Sequence, residues 1–144
     1  MALEWLDLGK SGDYIAFGVE IKDNTEAGKI KKGYFLGIDS NGKAVLADSG
    51  EGDNSPVAAR GAAKEDGSYG TSEKTVYLSK IAFVKNGKLY GFSGLTPGAD
   101  VYLSSGGGIT QTVPTKSGAI KQKVGFALDE NTIFVDIHPA EVIS

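Results

Sequence analysis

The residues with the clearest catalytic potential are one serine and one histidine. Ser93 lies in the segment Gly91-Phe92-Ser93-Gly94, and His138 is the only histidine in the sequence. A serine nucleophile needs a histidine to take its proton and a strand-turn-helix context to expose it, and this segment lacks the G-x-S-x-G spacing. We therefore expect no catalytic residue and no enzyme activity. We interpret His138, at the end of the last expected strand, as a surface or interface residue.

A second segment resembles a phosphate-binding loop. Residues 37–43 fit the pattern G-x-x-x-x-G-K, but Ala44 stands where Ser or Thr would hold Mg²⁺. The motif also needs a following helix whose amides face the phosphates. Asn41-Gly42 instead favours a hairpin turn, because both residue types tolerate positive φ. We therefore expect no nucleotide and no other cofactor.

The acidic segment 48–56 is the best candidate for a metal ion. Asp48, Glu51 and Asp53 offer the oxygen ligands that Ca²⁺ prefers. Glycines stand at positions where a calcium-binding loop supplies ligands, so the spacing does not fit. We interpret the segment as a solvated acidic loop and expect no metal site.

Composition narrows the function classes further. The 144 residues carry a net charge of −3 and no cysteine, which excludes disulfides and thiolate metal sites. A dedicated nucleic-acid-binding protein would show a basic excess, so we expect no nucleic-acid partner. No segment reaches the roughly 18 apolar residues of a membrane span. The first residues lack the basic region of a secretory signal, so we expect a protein made in a cytoplasm.

Glycine and alternation predict the elements that would position any site. Twenty-one glycines and four prolines indicate many tight turns. Apolar residues alternate along 15–21, which is the pattern of a strand with one buried face. Further strands are expected at 33–38, 43–47, 75–84, 89–92, 100–103, 109–113, 123–128 and 132–137. Their spacing favours an all-β fold, a small barrel or sandwich of short antiparallel strands joined by Gly-rich hairpins.

Two local assignments complete this interpretation. Asn86-Gly87 repeats the Asn-Gly signal and predicts a hairpin turn at 85–88. Residues 59–64 and 4–8 are each compatible with one helical turn, and 64–72 with a polar loop. No longer helical period is present.

A faint internal repeat relates the two halves of the chain. Ile30-Lys31-Lys32-Gly33 matches Leu95-Thr96-Pro97-Gly98, and Gly61-Ala62-Ala63 matches Gly125-Phe126-Ala127. Glycine inside the last strand of each half predicts a bend or a close backbone approach. Because both halves would share one core, we expect one domain over residues 13–144.

Residues 1–12 precede that domain as an extended apolar arm. Leu3, Trp5, Leu6 and Leu8 are its large apolar side chains, and they are the candidate partner-binding residues. Burial of such side chains on a partner is worth roughly 1.5–3 kcal/mol each before association costs. The alternative is that the arm folds back on its own barrel.

The second half of the sequence resembles a known family pattern. The matching residues are Gly94-Leu95-Thr96-Pro97-Gly98, Tyr102-Leu103-Ser104, Gly107-Gly108-Ile109-Thr110, Pro114-Thr115, Gly118 and Gln122-Lys123-Val124-Gly125-Phe126-Ala127. This pattern is similar to small β domains of tailed-bacteriophage virion proteins, namely head decoration (cement) proteins and fibre segments. The earlier half is also similar to the β-barrel of phage decoration proteins, through Gly33, Asn41-Gly42, Val45-Leu46-Ala47 and residues 57–63. The resemblance therefore covers roughly residues 28–138, and it rests on turn and strand residues.

The resemblance implies a non-enzymatic virion protein on the capsid surface. Such a protein is often a homotrimer, and it stabilises the shell by bridging subunits of the major capsid protein. A tail-fibre or baseplate β domain is the alternative within the same class. From another class, a small carbohydrate-binding module would need an exposed aromatic strip, for which Tyr69 and Tyr102 are candidates because tyrosine stacks on sugars.

Overall fold

Thirteen strands, most of them short, are the main regular elements of the structure. In the computed structural model, residues 14–144 are described. The strands are β1 (Tyr14–Glu20), β2 (Phe35–Ile38), β3 (Ala44–Leu46), β4 (Gly61–Ala63), β5 (Ser68–Gly70), β6 (Thr75–Tyr77), β7 (Lys80–Tyr90), β8 (Asp100–Leu103), β9 (Ile109–Thr110), β10 (Ile120–Lys121), β11 (Lys123–Ala127), β12 (Thr132–Asp136) and β13 (Glu141–Val142). One helix, α1 (Asn24–Lys29), and a 3-10 turn at Ser105–Gly107 complete the described part. The predicted all-β fold is confirmed.

Nine of the strands form one curled antiparallel sheet. Its order is β3-β2-β4-β7-β12-β11-β8-β9, and β1 pairs with β7 outside this path. β10 pairs with β13, and β5 pairs with β6, as two small separate ribbons. The hairpins predicted at Asn41-Gly42, at the Gly-rich segment 104–108 and at 129–131 are all present, since they join β2 to β3, β8 to β9 and β11 to β12.

The hairpin predicted at 85–88 is wrong, because β7 runs straight through Asn86 and Gly87. Both residues pair on two sides at once: Asn86 lies opposite Ile15 and Asp136, and Gly87 lies opposite Tyr14 and Val135. Partners on both sides outweigh a local turn preference. The extra residue, Lys85, forms a bulge against β1, where the register shifts between Ile15 and Ala16.

Helix was predicted at the wrong place within the described residues. Residues 59–64 contain β4 rather than a helical turn, and the polar loop 64–72 contains β5. The helix lies at Asn24–Lys29 instead. Asp23 caps it by accepting a hydrogen bond of 2.8 Å from the backbone N–H of Glu26. The spacing Asp23-x-x-Glu26 is a capping signal that the sequence already contained.

The internal repeat is visible in the backbone hydrogen bonds. The N–H of Gly33 donates to the carbonyl of Ala63 at 2.9 Å, and the N–H of Gly98 donates to the carbonyl of Ala127 at 2.7 Å. Both glycines have positive φ, +90° and +83°. The sheet order is symmetric accordingly, since β3-β2-β4 on one side corresponds to β9-β8-β11 on the other. The two halves therefore repeat the same strand arrangement.

Both halves contribute to one hydrophobic core. A larger cluster joins Phe35, Ala62 and Val84 from the first half to Val101 and Ile133 from the second. A smaller cluster lies on the opposite face of the sheet, where α1 contributes Ala27 and Phe83 lies opposite Ala63. The sheet is thus covered on one face by the curl of its own second half and partly on the other by the helix.

The turn between β2 and β3 contains Asp39, a carboxylate whose pKa is lowered in the folded protein. The backbone N–H groups of Lys43 and Asn41 donate to Asp39 at 3.0 and 2.9 Å. The bond from Lys43 has the largest effect and lowers the pKa of Asp39 below its usual value of 3.8. Burial opposes it, and the bond from Asn41 lowers the pKa further. Asp129 repeats this in the turn between β11 and β12, where the N–H of Asn131 lowers its pKa.

We expect Asp39→Asn to make the free energy of unfolding less dependent on pH under acidic conditions. A carboxylate whose pKa is depressed in the folded state stabilises the protein above its unfolded pKa, and that contribution is lost as the pH falls through the folded pKa. The variant should therefore lose less stability than the wild type between about pH 5 and pH 3. Urea denaturation at each pH measures this. Asp53→Asn, an exposed aspartate outside the strands, is the control and should follow the wild-type curve.

Candidate functional site

The two candidate catalytic residues lie at opposite ends of a strand pair. Ser93 follows β7 beyond Tyr90, which is opposite Thr132, whereas His138 follows β12 beyond Asp136, which is opposite Asn86. Four residue steps at about 3.3 Å separate these ends by roughly 13 Å. The pair therefore lies well beyond the reach that a nucleophile and its base require.

His138 instead contacts the carboxylate two residues before it. Its Nε2 lies 3.2 Å from Oδ2 of Asp136, and both side chains are partly exposed. Asp136 also accepts a long hydrogen bond, 3.4 Å, from the side chain of Asn86. His138 thus lies at the surface, as predicted.

The segment 37–43 serves as a turn. As described above, Asp39 accepts hydrogen bonds inside its own hairpin, and Ala44 begins β3. The amides of this segment are therefore directed at a carboxylate of the same chain rather than outward to a phosphate.

The acidic loop is only partly solvated, which corrects the prediction for residues 48–56. Asp48 is buried and accepts hydrogen bonds from the backbone N–H groups of Gly50 at 2.8 Å and Gly106 at 3.0 Å. The acid therefore ties the loop to the 3-10 turn of the second half. Asp53 is exposed, and within residues 14–144 no three acidic or histidine side chains come together as metal ligands would.

The tyrosines do not form one strip. Tyr69 of β5 is 60% exposed and Tyr90, at the end of β7, is 62% exposed, whereas Tyr102 is only partly exposed. Tyr69 lies opposite Val76, and Tyr77 lies opposite Ser68, so Tyr69 and Tyr77 point to opposite faces of the β5–β6 ribbon. Of the two candidates for sugar stacking, only Tyr69 is prominently exposed.

An apolar groove lies beside β1. Its apolar side chains are Phe17, Ile38, Ile137 and Pro139, its two cations are Arg60 and Lys85, and His138 completes the lining. Phe17 is 36% exposed on β1, a strand with no fully buried residue, and Ile38 is 39% exposed at the end of β2, whose other three residues are buried. The predicted buried face of 15–21 is therefore only partly buried.

β1 itself is an edge of the sheet. Among the described residues it pairs only with β7, and Ile15, on the same strand face as Phe17, is 45% exposed. The ring of Phe17 contacts that of Phe83, with centroids 5.1 Å apart, so the floor of the groove is continuous with the smaller core cluster. The groove and this edge are a candidate binding surface of the described chain, and the sequence had no signal for it.

The predicted partner-binding residues lie elsewhere. Leu3, Trp5, Leu6 and Leu8 belong to the arm 1–12, which falls outside the described residues. None of the described helices is long and apolar enough to cross a membrane. No protein-family model matches the chain, and no curated protein matches it significantly.

Proposed function

We propose that this protein is a non-enzymatic structural component of a tailed-phage virion. It would bind the outer surface of the capsid as a homotrimer and stabilise the shell by bridging major capsid protein subunits. No cofactor enters this proposal. The observation that carries it is a duplicated β scaffold that displays exposed apolar side chains, namely Ile15 and Phe17 on its edge strand β1 and Ile38 at the end of β2.

The resemblance to decoration proteins also supports the proposal, because residues of the shared pattern occupy important positions in the sheet. Gly98 and Gly125 belong to the shared pattern, and both occupy backbone positions on which the duplicated sheet depends. A rigid sheet of this kind holds surface groups in fixed positions, and fixed positions lower the entropic penalty of each contact with a shell subunit. Many copies on one shell would add avidity.

The oligomeric state and capsid binding test this proposal together. Light scattering after size-exclusion chromatography should give a mass three times the 15.0 kDa of the chain. Incubation with bare capsids assembled from a tailed-phage major capsid protein should then yield shells that sediment with the protein attached. A monomer that never sediments with capsids contradicts the proposal. A protein that binds isolated tails but not capsids favours the fibre or baseplate alternative.

Removing the arm is the sharper test of how the shell is bound. We expect deletion of residues 1–12 to weaken binding to capsids by about 100-fold, because up to four large apolar side chains would lose their contacts with the partner. Circular dichroism should show that the sheet is retained. As a control, Tyr69→Ala should leave capsid binding unchanged. Only if the protein were a sugar-binding module would this variant abolish binding, and the ligand lost would then be a sugar. If the deletion unfolds the protein, the arm belongs to the core.

A further inference from the structure

We propose that Asn41 is a modification site, at which the side-chain amide is lost by spontaneous deamidation while the protein is folded. The reaction needs only water and the backbone nitrogen of Gly42. Asn86, which is also followed by a glycine, is protected by the sheet. This inference goes beyond the capsid role and is independent of it, because it concerns the chemistry of the chain itself.

The reaction closes a ring within the Asn-Gly pair. The backbone nitrogen of Gly42 loses its proton to hydroxide and attacks Cγ of Asn41, and the side-chain nitrogen leaves as ammonia. Water then opens the cyclic imide. Breaking the new bond to Cγ leaves an aspartate, whereas breaking the original bond to the main-chain carbonyl carbon leaves an isoaspartate. No oxidant or reductant takes part, since water replaces ammonia.

The sequence alone does not distinguish Asn41 from Asn86. Glycine follows both, and it favours the attack because it has no Cβ to crowd the nitrogen and its backbone rotates widely. The other three asparagines of the chain precede Thr25, Ser55 and Thr132, each of which has a Cβ. The local sequence therefore selects two asparagines, and the structure must decide between them.

Asn41 lies at the surface, in the turn between β2 and β3. Asn41 and Gly42 are both exposed, and within residues 14–144 the side-chain amide of Asn41 has no hydrogen-bond partner. The N–H of Gly42 donates to the carbonyl of Asp39 at 3.0 Å. Water can replace this exposed bond at little cost. The nitrogen of Gly42 therefore becomes available for the attack without the opening of any strand.

Asn86 and Gly87 lie inside β7, with a strand on each side. Asn86 is opposite Ile15 of β1 and Asp136 of β12, and its side-chain nitrogen donates to Asp136 at 3.4 Å. Gly87 is buried between the same two strands. The ring can close here only after β7 separates from its neighbours. The rate is therefore reduced by the fraction of time that this part of the sheet is open.

Both products change the turn that joins β2 to β3. The N–H groups of Asn41 and Lys43 donate to Oδ1 of Asp39 at 2.9 and 3.0 Å. An isoaspartate adds one atom to the main chain between these two donors, so they can no longer meet the same oxygen. An aspartate adds a second carboxylate beside Asp39. Deamidation at Asn41 therefore weakens the turn.

Mass spectrometry of the full-length protein measures both sites in one sample. After incubation in mildly alkaline buffer and proteolysis, each deamidated peptide is heavier by one dalton, and electron-transfer fragmentation identifies isoaspartate. We expect Asn41 to react at least about tenfold faster than Asn86, which corresponds to an opening free energy of about 1.4 kcal/mol or more for β7. Equal rates in the folded protein overturn the proposal.

Urea supplies a matched control, because both sites read Asn-Gly-Lys. In the unfolded chain the two rates should become similar, since only the sheet separates them. A difference that persists in urea overturns the proposal, and so does an Asn41 that reacts in urea but stays intact in the folded protein. Asn41→Ser cannot form the ring. After the same incubation it should keep its original urea midpoint, whereas the midpoint of the wild type should fall, and equal midpoints would contradict a weakened turn.

Discussion

Replacement of Gln122 by leucine should lower the free energy of unfolding by about 3–6 kcal/mol. Gln122 is 1% exposed, and its amide holds three backbone groups. Its Oε1 accepts from the N–H of Ala59 at 2.7 Å, and its Nε2 donates to the carbonyls of Ala59 at 2.9 Å and His138 at 2.8 Å. Leucine has a similar volume but leaves all three groups without partners, and each such buried group costs about 1–3 kcal/mol.

The chain contains a matched control for this effect. Gln111 binds Thr96 in the same way, since its Oε1 accepts from the Thr96 N–H at 2.8 Å and its Nε2 donates to the Thr96 carbonyl at 3.0 Å. These two bonds are exposed, and a third, from Nε2 to the carbonyl of Ala99, is long at 3.3 Å and only partly buried. Water can replace these partners, so Gln111→Leu should cost less than about 1 kcal/mol. Guanidinium denaturation followed by circular dichroism measures both. Equal losses for the two variants would show that burial does not set the cost.

Substitution of Gly125 by alanine should be the most damaging small change in the sheet, at about 3–5 kcal/mol. A Cβ at this position would lie 2.2 Å from the carbonyl oxygen of Phe134 and 3.1 Å from its carbonyl carbon. These atoms belong to the backbone of β12, which cannot move aside without opening its pairing with β11. The φ of +157° adds to the strain.

Two other glycines, at which the atom nearest to a Cβ would be farther away, serve as comparisons for this effect. A Cβ at Gly61, the equivalent of Gly125 in the first half, would lie 2.8 Å from Cβ of Phe83 and 2.9 Å from the carbonyl oxygen of Val84, whereas one at Gly18 would meet no atom within 4 Å. We expect the loss of stability to fall in the order Gly125→Ala, Gly61→Ala, Gly18→Ala. The last should be neutral or stabilising by about 0.5–1 kcal/mol. Thermal unfolding gives this order, and soluble yield gives it for any variant that fails to fold. A destabilised Gly18→Ala would contradict it.

The contrast between two Asn-Gly pairs shows how far the sequence predicts this fold. Asn41-Gly42 turns a hairpin because β2 and β3 are neighbours along the chain, so a local rule suffices. Asn86-Gly87 has the same composition but lies inside β7, since Tyr14 and Val135 flank it from distant parts of the sequence. Alternation and glycine spacing therefore predicted the all-β class, most hairpins and the close approach at both Gly-x-Ala strands. They could not predict which strands lie side by side.

The groove was beyond sequence reasoning for the same cause. Phe17, Ile38, Arg60, Lys85 and Pro139 come from five separate stretches, and no period or motif connects them. Phe17 carries the alternating pattern of a buried strand face, yet it is partly exposed because no described element covers β1 on that side. Only the sheet order brings these residues together. The apolar arm expected at 1–12 lies outside the described residues and stays a prediction.

β7 couples the two halves of the sheet to each other. Along one side β7 pairs with β1 from Lys80 to Gly87, and along the other it pairs first with β4 of one half and then with β12 of the other. A force that pulls on either half is therefore transmitted to the other half through this single strand. Neither half can unfold alone without removing pairing partners from β7, so the sheet unfolds as one cooperative unit.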